Sequence, residues 1–497
     1  IKLEELAQHQ LRHVHLGVPG MNIVGLGDTA VGESRDRVRA AIQNSGLPWP
    51  NERRITIGLS PASVRKNGAS LDLGIALAIL IAQGVVDPDV NYAAVGELAL
   101  DGRVSPVRGV LVAAAAAHKA GINTLLVPHS QISEAFLVEE LDVVGVSSLH
   151  DALAFLAGKE WVQPEIPITK PQDAVIPDMA DVRGQHAARL GLEVAAAGGH
   201  HIAFFGSPGV GKTMLAQRLP GLLPTLDSQT SVEVTSIHSA AGLLPNGAGL
   251  IRVPPFQAPH HTASSAALIG GGSNHVRIGM VTLAHAGVLC LDEAAEFDRS
   301  VLDALRQPLE SGTVTVSRAG FTTTLPARFQ LVLASNPCPC GQFLGDGSDC
   351  TCTPHVRRRY FSRLSGPLLD RIDIRVSLEK PTLAELDPTL GDAEPTAPIA
   401  QRVQMARERA AWRFKELPWS VNAHVPGPTL RKHFRLPRDS RSVIISGGEH
   451  LSARAFDRVL RLAWTVADLK GHDAPTPADV ATALSFRDAQ GAWLAAA

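Results

Sequence analysis

One run of eight residues constrains this chain more than any other: Gly206-Ser207-Pro208-Gly209-Val210-Gly211-Lys212-Thr213. It follows Ile202-Ala203-Phe204-Phe205, whose unbroken apolar character predicts a buried parallel strand, and precedes Met214 to Leu219, which predicts a helix. A strand that passes into a helix through a glycine-rich turn points backbone N–H groups inward, and the helix N-terminus adds its positive dipole end. That arrangement suits a polyphosphate. With the full G-x-x-x-x-G-K-T spacing, Lys212 is expected to reach the β- and γ-phosphates of ATP and Thr213 to ligate Mg²⁺.

Two further apolar runs are expected to bring their carboxyl ends to the same place, as in a doubly wound sheet. Gly287-Val288-Leu289-Cys290-Leu291-Asp292-Glu293 is a buried strand that ends on two acids. Asp292 is expected to hold Mg²⁺ through its water shell and Glu293 to orient and activate the attacking water; an acidic helix cap is the plain alternative. Cys290, inside that strand, fits core packing. Phe329 to Ser335 ends on Asn336. An Asn at a strand end is by itself a turn former, but its order after the acidic strand places it beside the γ-phosphate.

At 497 residues the chain is too long for one hydrophobic core, so two to four domains are expected. A hydrophobic content of 45% against 19% charged residues describes a globular protein. The formal net charge of -2 excludes a global field drawing it onto nucleic acid or an anionic membrane, so any such binding needs a local patch. The strongest apolar stretch, Leu73 to Val86, is broken by Gly74 and Gly84 and falls short of the roughly 20 residues of a membrane span. No secretory signal is visible, and a cytoplasmic location is expected. The chain opens on Ile1 and not Met, so upstream residues are expected as well.

Residues 1–158 read as a mixed α/β domain. Strands are expected at Asn22–Leu26, Arg54–Leu59, Ala93–Leu98 and Thr124–Pro128, with helices at Ser34–Ser45, Leu71–Gln83 and Leu111–Lys119. Lys66 to Asp72, and Val95 to Val104 followed by Pro106-Val107-Arg108-Gly109, resemble the proteolytic domain of Lon. By that resemblance Ser70 stands at the nucleophile's place. A serine needs an adjacent base, and the lysine that the Lon family carries after Gly109 and Val110 is replaced by Leu111. Lys119 is two helical turns further on, too far round to substitute. A Lon-like fold without the protease dyad is expected.

Four of the five cysteines form Cys338-Pro339-Cys340 and Cys350-Thr351-Cys352, with nine residues between the pairs. Four thiolates in a Gly-rich loop suit a structural, closed tetrahedral Zn²⁺ site; an iron–sulfur cluster or disulfides are the alternatives. Just beyond lie His355, Arg357, Arg358, Arg359, Tyr360 and Arg363, the densest basic run in the chain, with an aromatic inside it. It is a candidate nucleic-acid surface that a ring would multiply, or else a solvated or inter-subunit face.

The phosphate loop, Ala258-Pro259-His260-His261-Thr262 with Ala267 to Gly272, Leu305 to Glu310, Asn336 to Gly341 and Ser365 to Asp373 together resemble the YifB/ComM family of magnesium-chelatase-like AAA+ ATPases, over essentially the whole chain. The resemblance implies a homo-hexameric ring related to magnesium chelatase subunits and MCM helicases. It further implies DNA as partner and a branch-migration helicase activity in natural transformation. It assigns Arg371 as a finger reaching the neighbour's active site, with a surface salt bridge as the plain alternative, and Arg454 as a second sensor on the lid. It also implies a helix-2 insertion near residues 242 to 280 and a hairpin before Asn336. The β-branched alternation of Thr313–Val316 and Thr322–Leu325 predicts that hairpin independently, with Arg318 at its tip as a pore contact. His260 and His261 have no acid or thiol at ligand spacing and fit a loop or pore role better than a metal site. His201 stands where the family commonly has Asn, and Ala294-Ala295 replaces Leu-Pro; neither removes a catalytic group.

The expected fold is therefore multidomain α/β. It comprises a Lon-protease-like (S5 domain 2-like) domain at 1–158, a Pro-rich linker at 159–180, and an AAA+ P-loop core at 181–380 with a zinc-binding loop at 336–354. A spacer at 381–400 and a helical lid at 401–497 follow, the lid built on helices 400–415, 452–468 and 477–490 with Ser452 and Thr476 as N-caps. ATP-driven translocation on single-stranded or branched DNA is the expected function. A chelatase-like or chaperone-type remodelling motor is the first rival. A Lon-like protease acting through Ser70, and a binding module docking through its zinc loop, are the others.

Overall fold

A computed structural model describes residues 14–16, 20–25, 29–60, 68–159, 176–245, 247–271, 277–318, 321–343, 349–387, 393–447 and 451–494. The chain divides into two compact units. One comprises residues 1–173 with 228–251 and 272–278; the other comprises 174–227, 252–271 and 279–497.

In the first unit Arg53–Gly58 lies between Val14–Leu16, antiparallel to it, and Gly20–Val24, parallel to it. A parallel pair needs a crossover, here the helix Thr29–Asn44. A second sheet, Tyr92–Ala94, Thr124–Pro128 and Asp142–Val146, is parallel throughout, and its middle strand is buried at every position. The helix Asp72–Ala82 fills the core with Ile75, Ala76, Leu77, Ile79 and Leu80. Asp72 is buried as well, and Ser34 Oγ and Arg37 Nε (2.7 Å for the latter) satisfy its carboxylate.

The strand expected over 93–98 is broken. Gly96 donates its N–H to Ser70 O (2.9 Å) and accepts from Leu73 N–H (3.1 Å), so its backbone serves the start of the buried helix and not a ladder. A Cβ there would stand 2.7 Å from Val104 Cγ1. Sequence reasoning did not anticipate the helix Ser228–Ala241, which interrupts the ATPase sequence yet belongs to this first unit. Gly109 N–H donates to Ser239 O (3.1 Å), and Ser239 Oγ donates to the buried Glu134 carboxylate (2.5 Å).

The second unit is built on a five-stranded sheet ordered Phe256–Gln257, Val288–Leu291, Gln330–Ser335, Ile202–Gly206, Ile374–Leu378, all pairs parallel. The three middle strands are buried at every position, which explains their unbroken apolar sequences. The helix His186–Gly198 ends on Gly199 at φ 73°, a left-handed cap.

Helices Thr396–Arg413, Ala453–Lys470 and Pro477–Leu494 form the C-terminal part of this unit, with two shorter helices, Gly427–His433 and Arg438–Gly447, between the first two. The first begins inside the expected spacer, because Pro398 falls in the first turn, where its missing N–H has no helical partner to lose. Ser452 Oγ accepts from Ala455 N–H (3.2 Å), and Thr476 and Asp479 bond reciprocally as a capping box. Sheet and helices are joined through Asp373, whose carboxylate takes His200 Nδ1 (3.0 Å) and Arg458 Nη1 (2.6 Å), while His200 Nε2 meets Thr465 Oγ1 (2.8 Å).

Candidate nucleotide site and cysteine cluster

The strand order brings the carboxyl ends of Ile202–Gly206, Val288–Leu291 and Gln330–Ser335 side by side, the place where open parallel sheets bind ligands. Past the first, Gly209 (φ 81°) and Gly211 (φ 95°) adopt the left-handed conformation that lets the turn cup inward, and the helix Lys212–Leu222 starts directly after Gly211. A Cβ on Gly206 would meet Leu378 O at 2.7 Å, so glycine is required there by the neighbouring strand. Ser207, Pro208 and Val210 complete the turn.

Lys212 is buried and donates to Gly206 O (2.7 Å), Ser207 O (2.8 Å) and Asn336 Oδ1 (3.0 Å). Burial pulls its pKa below the ordinary lysine value, against the opposing pull of Asp292 and Glu293. Thr213 Oγ1 donates to Asp292 Oδ2 (2.6 Å). Phosphate loop, acid strand and Asn336 therefore converge in one site. A hydroxyl beside a carboxylate is an oxygen donor set suited to Mg²⁺, and the open cradle above Gly209 suits a phosphate.

Glu293 takes φ 51°, a strained value for a non-glycine residue, and its N–H turns back to Asp292 Oδ1 (2.9 Å). Its carboxylate Oε2 lies 2.9 Å from His261 Nδ1. Sequence spacing could not show this pair, since 31 residues separate the two and only the adjacency of their strands brings them together. His261 is thus a site residue, and His260 stacks on it with ring centroids 4.1 Å apart.

Of the two arginines expected to read the nucleotide, Arg371 lies at the end of the segment 365–371, bonded to Pro367 O (2.5 Å) and ion-paired with Glu310. Arg454 is exposed in the first turn of Ala453–Lys470, one turn before Arg458. The expected hairpin is present: Thr313–Arg318 pairs antiparallel with Phe321–Pro326. Its tip, 319–320, lies outside the described residues, as do 272–276 of the expected insertion.

The sulfurs of Cys338, Cys340, Cys350 and Cys352 lie within 4.8 Å of one another, with Sγ–Sγ separations of 3.2 Å for Cys338–Cys340 and 3.7 Å for Cys338–Cys350 and Cys340–Cys350. A tetrahedron of Zn–S bonds of about 2.3 Å needs edges of about 3.8 Å, so the donor set fits such an ion, and all four cysteines are free thiols. Burial pushes the Cys338 thiol up to about 12, whereas hydrogen bonds from the Gln342 backbone and Cys338 bring Cys340 down to about 6 despite burial. The loop also touches the phosphate loop: a Cβ on Gly341 would lie 2.4 Å from Pro208 Cδ.

The basic run proves to be three different things. In the helix Pro354–Phe361, Arg358 and Arg359 are exposed, as is His355. Arg357 turns back over the Phe343 ring (3.9 Å) and donates to Cys352 O (3.4 Å), and Arg363 pairs with Glu296 (3.1 Å). Tyr360 is buried and offers no stacking platform. Cys290 is fully buried, and burial pushes its thiol up to about 12.

In the N-terminal unit Ser70 is partly exposed at the turn before Asp72, and Lys66 and Asn67 lie outside the described residues. Leu111 is buried with its N–H donated to Glu134 Oε1 (3.0 Å), and Lys119 ends the helix Val110–Lys119. No helix among the described residues is long and apolar enough to cross a membrane.

A glycine-rich phosphate loop, an acid pair and an asparagine at three adjacent strand ends, with a helical region packed on the same sheet, define an AAA+ type ATPase. The family model for magnesium chelatase, subunit ChlI, matches residues 178–386; that for subunit ChlI of Mg-chelatase matches 12–131; and that for the ChlI C-terminal region matches 393–487. A protein of Mycobacterium tuberculosis is 48% identical over 477 residues, 95% of this chain and 93% of the relative. Protein YifB of Escherichia coli is 40% identical over 482 residues (96% and 93%), and competence protein ComM of Haemophilus influenzae 38% over 490 (96% and 93%). A shorter stretch, 190 residues at 28% identity, 38% of this chain and 23% of the relative, matches the probable DNA helicase MCM9 of Oryza sativa subsp. indica. The chain belongs to the YifB/ComM family of magnesium-chelatase-like AAA+ ATPases.

Proposed function

We propose that the protein is a ring-forming AAA+ motor that couples ATP hydrolysis to translocation on single-stranded or branched DNA. The observation that carries the ATPase part is the convergence of Lys212, Thr213, Asp292, Glu293 and Asn336 on one strand-end site. In this reading Gly206 to Gly211 cradle the phosphates, and Lys212 exchanges its carbonyl and Asn336 partners for phosphate oxygens. Thr213 and Asp292 would hold Mg²⁺, which would supply positive charge against that developing on the phosphates. Glu293 accepts the proton of a water whose oxygen attacks the γ-phosphorus as the bond to ADP breaks. Asn336 places that water, Arg371 supplies positive charge to the neighbouring subunit's site, and Arg454 reads the nucleotide from the lid.

Support for DNA as substrate comes from the names of two relatives, a competence protein and a probable DNA helicase, and from the exposed Arg358 and Arg359 with the hairpin carrying Arg318. Copies in a ring, a homo-hexamer by family resemblance, would sum an otherwise weak basic patch. In this reading 1–158 is a Lon-like domain without protease chemistry, 181–380 the ATPase core and 401–497 the lid. Cys338, Cys340, Cys350 and Cys352 bind a structural Zn²⁺.

Steady-state ATP hydrolysis tests this, measured with no DNA, duplex, single strand and a four-way junction, with Lys212→Ala as the blank. Stimulation by single strand or junction, lost at high salt, is the expected result. Hydrolysis that ignores all three DNAs would replace the translocase with a chelatase-like or protein-remodelling motor.

A further inference from the structure

We propose that Glu310 is a positioning residue for Arg371: it fixes the guanidinium from within the same subunit so that the arginine can serve the neighbouring subunit's nucleotide site. The inference rests on Arg371 being that finger. Arg371 engages both terminal nitrogens inside its own chain, Nη1 on Pro367 O (2.5 Å) and Nη2 on the Glu310 carboxylate. Each of those nitrogens carries a second N–H, so the fork keeps donors for a phosphate oxygen while its place is set. The Arg371 side chain is 16% exposed and that of Glu310 65%, so the pair stands at the surface, open to another copy of the chain.

A surface ion pair is by itself worth little, and the mounting of this one is what distinguishes it. The segment 365–371 is pinned at both ends to two consecutive helices, Arg299–Ala304 and Arg306–Ser311. At its start Ser365 Oγ donates to Asp303 Oδ1 (3.0 Å) and accepts from Arg306 Nη2 (3.2 Å), while Arg306 also pairs with Asp303 (2.7 Å). At its end Glu310 holds Arg371. The helices are anchored by buried Val301, Leu302, Leu305 and Pro308. Gly312 caps the second at φ 66°, where a Cβ would lie 2.8 Å from Arg328 Cγ. Glu310 therefore stands on a packed helix and not on a free loop. Nε of Arg371 and Nε of Arg306 are both buried with no hydrogen-bond partner among the described residues. Buried donors are normally satisfied, so two unsatisfied ones at the pinned ends indicate a segment whose geometry serves something other than its own hydrogen bonding.

The test is ATP hydrolysis by mixed assemblies of full chains, each pair co-expressed with two different tags and purified through both. Arg371→Ala has an intact nucleotide site and no finger; Lys212→Ala has the finger and no working site. Activity recovered by the pair therefore reports Lys212→Ala fingers serving Arg371→Ala sites. Glu310→Ala added to the Lys212→Ala chain should cut the recovered kcat by about three- to tenfold, the dilution of one side-chain geometry among the few staggered alternatives that the lost link opens. KM for ATP should stay unchanged, because the working nucleotide site is on the other chain. Glu310→Ala added instead to the Arg371→Ala chain, which has no guanidinium to hold, should recover as much as the parent pair, showing that the substituted chain folds and assembles. Equal recovery from the two placements, whether full or reduced, overturns the proposal. So does a rise in rate when Glu310→Ala accompanies the finger, which would make Glu310 a lock. If Arg371→Ala with Lys212→Ala recovers nothing, Arg371 is no finger, and the underlying reading falls together with the proposal.

Discussion

Replacing Asp373 by Ala should be the most damaging single change in the second unit. The residue is 4% exposed, and its one carboxylate is held by Arg458 and His200. Three more arginines, Arg375, Arg461 and Arg487, lie close enough to feel its charge. Burial alone would raise the Asp373 pKa; the Arg458 charge and the His200 hydrogen bond outweigh it and hold the carboxyl far below the usual range. Removing one partner of a buried ion pair costs about 3–5 kcal/mol, since the other charge stays behind unpaired. At about 2–4 °C per kcal/mol for a unit of this size, the melting temperature should fall by roughly 10 °C. Asp373→Asn keeps the shape and should lose less. Because the folded carboxyl is depressed, its contribution is complete above the unfolded pKa of about 4 and fades as pH falls below that. Thermal unfolding of wild type and variant followed by circular dichroism from pH 7.5 to 3 should therefore show a constant gap that begins to narrow below about pH 4. A gap under about 2 °C at pH 7.5, or one independent of pH, would refute the argument.

Removing the Zn²⁺ proposed for the cysteine cluster should weaken nucleotide binding as well as the cysteine loop. Asn336 is two residues from Cys338 and Gly341 abuts Pro208, so a strong chelator, or Cys350→Ser with Cys352→Ser, should lower affinity for a fluorescent ATP analogue several-fold; unchanged affinity would uncouple the two loops. Arg371→Ala should reduce hydrolysis by on the order of a thousandfold if the residue serves its neighbour, and mixing it with inactive Lys212→Ala should restore part of the rate. Failure of the mixture to recover activity would confine Arg371 to the ion pair with Glu310.

The candidate nucleotide site was legible as a cluster because phosphate binding demands fixed residue types within eight consecutive positions, and because strands buried on both faces announce themselves as unbroken apolar runs. The cysteine cluster was legible for a similar reason: its donors lie close in sequence. The basic run 355–363 was legible only as charge. Helical geometry then sent Arg357 onto Phe343 and Tyr360 into the core, leaving Arg358 and Arg359 outside. The helix Ser228–Ala241 was missed because its docking groups are polar. Ser231, Thr235 and Ser239 are buried beside Val234 and Ile237, and its link to Glu134 is a hydrogen bond, so the buried face is mixed and its apolar periodicity is weak. The pairing of His261 with Glu293 depends on which strands are neighbours, a property of the sheet and of no local pattern.

The same strand order fixes what lies between the phosphate loop and the helical region. The strand Ile374–Leu378 lies directly beside the strand that enters the phosphate loop, with Leu378 opposite Gly206. At the other end of that edge strand, Asp373 follows Arg371 by two residues and grips Arg458, one turn beyond Arg454. The two arginines proposed to read nucleotide from opposite sides are thus joined through a single buried carboxylate. A shift of the helix Ala453–Lys470 cannot leave Arg371 undisturbed without breaking the Asp373 pair, whose loss costs several kcal/mol. Substituting Asp373 should therefore uncouple the two arginines before it unfolds the chain. Asp373→Asn, the milder change, should retain ATP binding at temperatures where the protein is folded while losing hydrolysis that depends on the neighbouring subunit.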